Sequence, residues 1–83
     1  MGIEKRLIKR GHMTVVYTMV HPWMDEEHGD VSDTATTTVD MFDRAGAHIY
    51  SKEYRDDHYD VQSWRRLSRI WAQNAFDVTR GSL

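Results

Sequence analysis

Two alternating runs, TATTTVDMFD (34–43) and AHIYSKEYR (47–55), flank the short connection Arg44-Ala45-Gly46, and together they leave this stretch little choice but a β-hairpin. Asp43-Arg44-Ala45-Gly46 suits a type I turn, with Asp at its first position and Gly in the left-handed position that only glycine takes without steric cost. Asp43 then lies opposite Ala47, and regular pairing predicts Phe42 opposite His48, Met41 opposite Ile49, Asp40 opposite Tyr50 and Thr36 opposite Tyr54. Side chains alternate across a strand, so this register predicts a core face of Ala35, Val39, Met41 and Ile49. The outer face carries Asp40, Phe42, His48, Tyr50, Lys52 and Tyr54. A slip of one residue would exchange the faces.

Before the hairpin, Met13 to His21 (MTVVYTMVH) reads as a strand rich in β-branched residues, ended by Pro22. After it, Asp60 or Ser63 caps a helix in which Val61, Trp64, Leu67, Ile70 and Trp71 recur at helical spacing, with Arg65, Arg66 and Arg69 toward the other side. Asn74 suits a left-handed cap, and Ala75 to Arg80 alternates as a short last strand. The expected fold is α+β, in the order β-β-β-α-β: a small antiparallel sheet of three to four strands with one helix on one face.

Residues 1–12 (MGIEKRLIKRGH) suit a short basic helix with Ile3, Leu7 and Ile8 on one side. They read equally as a leader appended ahead of Met13, because His12-Met13 is what a common cloning junction encodes. The expected organisation is therefore a basic N-terminal segment, 1–12, and one α+β domain, 13–83. Eighty-three residues lie near the small end of what one apolar core can hold. The absence of cysteine removes disulfides and thiolate metal sites and favours a reducing cytoplasm.

The net charge of −2 conceals blocks of opposite sign: +3 over residues 1–12, −8 over 13–63 and +3 over 64–83. Asp25, Glu26, Glu27, His28, Asp30 and Asp33 crowd one loop, and Asp56, Asp57, His58 and Asp60 a second. His21, Asp25 and His28 invite a metal reading, but their order matches neither a calcium loop nor a zinc spacing. No metal or other cofactor is expected. Trp23 and Met24, beside the first acidic run, require apolar cover and are expected to tuck against the sheet edge. Ser51, Ser63 and Ser68 lack a nucleophile elbow, no glycine-rich phosphate cradle occurs, and so small a domain has little room for a concave site around His48, His58, Asp40 and Asp57. The chain reads as non-enzymatic.

An added N-terminal helix would give the α-β-β-β-α order of double-stranded RNA-binding domains, a likeness of topology alone, since the second helix is entered here through DDHYD. SWRRLSRIWAQNAFDVTR resembles the helix-then-strand ending of small phage-encoded inhibitors of host RNA polymerase, over about a quarter of the chain. Anti-CRISPR proteins are similar in size, cysteine-poor composition and acidity. These resemblances imply a protein that acts in a host cytoplasm by covering a basic, nucleic-acid-handling surface.

The expected function is thus that of a protein-binding module with an acidic surface. Asp40, Phe42, His48, Tyr50 and Tyr54 would form the contact, together with Asp25, Glu26, Glu27, Asp56 and Asp57. A competing expectation places the same aromatics under the helix or in a homodimer. An alternative of another class is nucleic-acid binding through Arg65, Arg66, Arg69 and the basic N-terminus.

Overall fold

A computed structural model describes residues 3–21, 24–25, 30–31, 34–56 and 60–80; at 24, 25, 30, 31 and 56 it describes the backbone. The strands are β1 (Ile3–Arg10), β2 (Met13–Val20), β3 (Met24–Asp25), β4 (Asp30–Val31), β5 (Ala35–Phe42) and β6 (His48–Asp56), and the helix is α1 (Val61–Arg80). Among the described residues, β1-β2-β5-β6 form one antiparallel sheet in that spatial order, while β3 and β4 pair as a separate two-stranded ribbon. The α+β class holds, with a four-stranded sheet and one helix packed on it, in the order β-β-β-β-α rather than β-β-β-α-β.

Two expected elements are replaced. Residues 3–10 are a strand, not a helix: Gly11, at φ +59°, opens a two-residue turn that pairs Arg10 with Met13. A positive φ at the first turn residue alone matches the hairpin turn whose twist suits antiparallel strands. β1 lies at the sheet edge, where Lys5, Arg6, Lys9 and Arg10 oppose pairing with stray strands. The expected last strand, 75–80, is instead the final part of α1. No Gly or Pro interrupts residues 61–80, so the helix continues past Asn74 for its full 20 residues. At 1.5 Å per residue it is about 30 Å long, enough to run the length of the strands.

Asp60 caps the helix start. Its Oδ2 accepts from the Ser63 amide at 3.2 Å and the Ser63 hydroxyl at 2.8 Å, and these bonds hold its carboxyl below the usual aspartate range.

Helix and sheet meet across one apolar layer. Val15, Tyr17 and Met19 of β2 and Ala35, Val39 and Met41 of β5 pack against Trp64, Ala72, Ala75 and Phe76. The buried helix residues are Trp64, Ser68, Ala72, Ala75 and Phe76. Of the expected stripe only Trp64 is fully enclosed; Val61, Leu67 and Trp71 are half-buried and Ile70 is 42% exposed. Small residues at 68, 72 and 75 let the helix backbone approach the sheet, and that proximity selects the contact face. Inside the layer Thr37 Oγ1 and Ser68 Oγ lie 2.7 Å apart, each satisfying the other away from water.

The turn forms as expected. Asp43 N donates to Ala47 O and Gly46 N to Asp43 O, each at 3.0 Å, and Asp43 Oδ1 accepts from the Ala45 and Ala47 amides at 2.9 Å. Gly46 sits at φ +86°, with open space where a Cβ would go. Gly46→Val is therefore expected to destabilise the fold through backbone strain alone, by about 1–2 kcal/mol. An unchanged urea midpoint would show that the turn tolerates a branched residue.

The expected register survives for one pair. Phe42 lies opposite His48, but Met41 then faces Tyr50, Asp40 faces Ser51, Val39 faces Lys52 and Thr37 faces Tyr54. Ile49 is the extra residue of a β-bulge and is 42% exposed, not core. From Tyr50 onward the faces of β6 are exchanged. Tyr50 and Tyr54 point to the helix side, where Tyr54 stacks on Trp71 at 4.3 Å with the planes 2° apart.

Candidate functional site

Strand direction assigns the ends of the molecule. Val20 pairs with Ile3 and Thr36, and Ala35 pairs with Asp56, so residues 3, 20, 35 and 56 share one end of the sheet. The connections 21–34 and 57–60 both leave from there. The Gly11-His12 and Asp43–Ala47 turns occupy the other end, as does the end of α1: Thr79 Oγ1 is 3.5 Å from Met41 Sδ, and the Arg10 guanidinium lies 5.1 Å over the Phe76 ring.

The two acidic loops, far apart in sequence, are thus anchored side by side. Asp25, Glu26, Glu27, Asp30, Asp33, Asp56 and Asp57 belong to them, whereas all eleven Lys and Arg residues lie on β1, β6, α1 and the Arg44 turn. The backbone of Asp25 lies in β3 and that of Asp56 in β6. Their side chains, together with Glu26, Glu27 and Asp57, lie outside the described residues, as do Trp23, His28 and His58.

The expected hairpin surface divides between the faces of the sheet. Asp40, Phe42 and His48 stay together on the face away from the helix: His48 Nε2 is 2.8 Å from Asp40 Oδ1, and Phe42 stacks on His48 at 5.1 Å. Tyr50, Tyr54 and Lys52 are on the helix side. Lys52 Nζ lies 5.1 Å over the Tyr54 ring, and burial, with Tyr54 close by, pushes the Tyr50 hydroxyl above its ordinary pKa. That arrangement agrees with the competing expectation that these aromatics pack under the helix.

The sheet face away from α1 is uncovered among the described residues. Ile3 faces Val20 and Leu7 faces Val16 across β1 and β2. Ile3 and Leu7 are each 57% exposed, giving an apolar strip, interrupted by Lys5 and Thr18, that begins at the acidic end. Reading 1–12 as separate from the domain hid this strip, and no alternation marks it, because Ile3, Lys5, Leu7 and Lys9 all fall on one face of β1.

On the opposite side Arg65 of α1 meets β1. Arg65 donates from Nε to Glu4 Oε2 at 3.3 Å and from Nη2 to Glu4 Oε1 at 2.5 Å, while Arg6 Nη2 and His21 Nε2 lie 3.5 and 3.4 Å from the same carboxylate. The hydrogen bond from Arg65 holds the Glu4 carboxyl below its usual range. Arg66 and Arg69 are exposed on the helix.

Among the described residues no group of three or more His, Cys, Asp or Glu is placed to hold a metal ion, and no helix is long and apolar enough to cross a membrane. Comparison with known proteins returns no match: no family model fits the chain, and no curated protein or solved structure matches it.

Proposed function

We propose that the protein is a small non-enzymatic binding module whose acidic end engages a basic, nucleic-acid-handling surface on another protein. The observation that carries this is the anchoring of both acidic loops at one end of the sheet. Like charges concentrated there deepen the local negative potential, attract a basic partner and speed encounter. The apolar strip of Ile3, Leu7, Val16 and Val20 begins at the same end and supplies contact area. It takes the anchoring role for which Tyr50 and Tyr54 were expected, since those side chains are engaged by the helix. Covering a basic surface in this way is how an inhibitor of the anti-CRISPR or host-takeover kind would work in a host cytoplasm.

The test begins with capture of a partner from bacterial lysate and its identification by mass spectrometry. Reversal of Asp56 and Asp57 to Lys is then expected to slow association with that partner tenfold or more at low salt, leaving the thermal midpoint of the free protein nearly unchanged. Leu7→Ala should act instead on dissociation, as loss of an apolar anchor does. Association that is indifferent to the Asp56/Asp57 reversal would remove the acidic end from the mechanism.

A second reading is favoured by one contact. The Glu4–Arg65 fork brings basic β1 alongside α1, so two basic segments far apart in sequence share a side. Nucleic-acid binding there would use Arg66, Arg69 and the β1 cations more freely than Arg65, which already engages Glu4. Retention on DNA or RNA that falls steeply with salt would select it.

A further inference from the structure

At the end of the molecule away from the acidic loops, Arg10, Met13, Phe76, Thr79 and Arg80 line an open cleft of about 200 Å³. Met13 and Phe76 contribute apolar surface and the two arginines contribute positive charge. The Arg10 guanidinium lies 5.1 Å over the Phe76 ring. Among the described residues Arg80 makes a 3.9 Å contact with Asp77, both side chains being largely exposed. A cleft of this composition suits a large apolar side chain followed closely by carboxylates.

The chain contains such a sequence, Trp23-Met24-Asp25-Glu26-Glu27, in which two apolar residues that require cover precede three acidic ones. It cannot reach its own cleft. The cleft borders Met13, at the start of β2, whereas residues 23–27 follow the end of that strand. Eight residues of strand separate those ends by about 24 Å at 3.3–3.4 Å each, and the two residues from His21 to Trp23 span about 7 Å. We propose that the cleft receives residues 23–27 of a second copy of the chain. Two copies lying side by side and antiparallel satisfy both clefts at once, acidic end against basic end, in a closed two-fold arrangement. This involves no other protein and does not depend on the partner proposed above, although that partner would compete for the same acidic segment.

Sedimentation equilibrium on the full chain tests it. The parent is expected to associate at low ionic strength and to dissociate as salt screens the contact. Arg10→Glu/Arg80→Glu and Glu26→Lys/Glu27→Lys should each weaken association tenfold or more, and an equimolar mixture of the two should recover it, because the reversed segment of one complements the reversed cleft of the other. A synthetic peptide of residues 21–33 should compete with association of the parent protein, a readout that requires no variant. A parent chain that stays monomeric at low ionic strength overturns the proposal. So do variants that associate as the parent does, a mixture that stays monomeric, or a peptide without effect.

Discussion

Trp64→Ala is expected to remove about 3–5 kcal/mol of stability, much or all of what holds a domain of this size together. Trp64 is 1% exposed, makes an edge-to-face contact with Trp71 at 5.2 Å and lies in the layer that joins helix to sheet. Its Nε1–H has no hydrogen-bond partner among the described residues, so an unmet donor already offsets part of what the ring contributes. Trp64→Phe keeps much of the ring and loses that donor, and should cost far less than the alanine variant. Urea titrations followed by circular dichroism would measure both. A Trp64→Ala protein with the parental midpoint would mean that the indole is not part of the core.

Ser68→Leu should be nearly as damaging. Ser68 is where the helix comes close to β5, and its hydroxyl is the partner of Thr37. Leucine overfills that space, at about 1–3 kcal/mol, and strands the Thr37 hydroxyl away from water, at about 1–3 kcal/mol more. The double variant Thr37→Val/Ser68→Ala removes both hydroxyls without leaving either unpaired, and should lie much closer to the parent than Ser68→Leu does. A double-mutant cycle built on Thr37→Val and Ser68→Ala would isolate the coupling between the two groups. Additive single effects would show that the 2.7 Å contact contributes nothing specific.

These two sites mark where the sequence stopped being legible. The Asp43–Gly46 turn was readable because its chemistry is local: one carboxylate bonds two amides and one glycine takes the left-handed conformation. The bulge at Ile49 carries no such mark. Its effect is to aim Tyr50 and Tyr54 at the helix, and the Tyr54–Trp71 stack is a contact between residues seventeen apart that strand alternation alone does not reveal. Helical periodicity at 61–72 was visible, but weighting large apolar residues pointed to Leu67 and Ile70. Burial instead followed Ser68, Ala72 and Ala75, whose value is their small size. The alternation of 75–80 resembled a strand because Phe76 and Val78 are spaced by two; on the helix Phe76 is buried and Val78 is exposed. Of the candidate surface, the two acidic loops were plain in the sequence, and their common end required the strand order.

That order also governs how the protein is made. The ribosome releases β1 through β6 before any of α1, so the side of the sheet carrying Val15, Tyr17, Met19, Val39 and Met41 emerges with no cover. Its contacts join residues 15–41 to residues 64–76, and they cannot form until the end of that stretch has left the exit tunnel. Folding of the sheet therefore waits for α1, and a chain interrupted before Trp64 presents a bare apolar sheet with two open edges, the kind of species that chaperones hold and proteases remove. Whether a nascent chain survives to bind anything is decided by the arrival of α1.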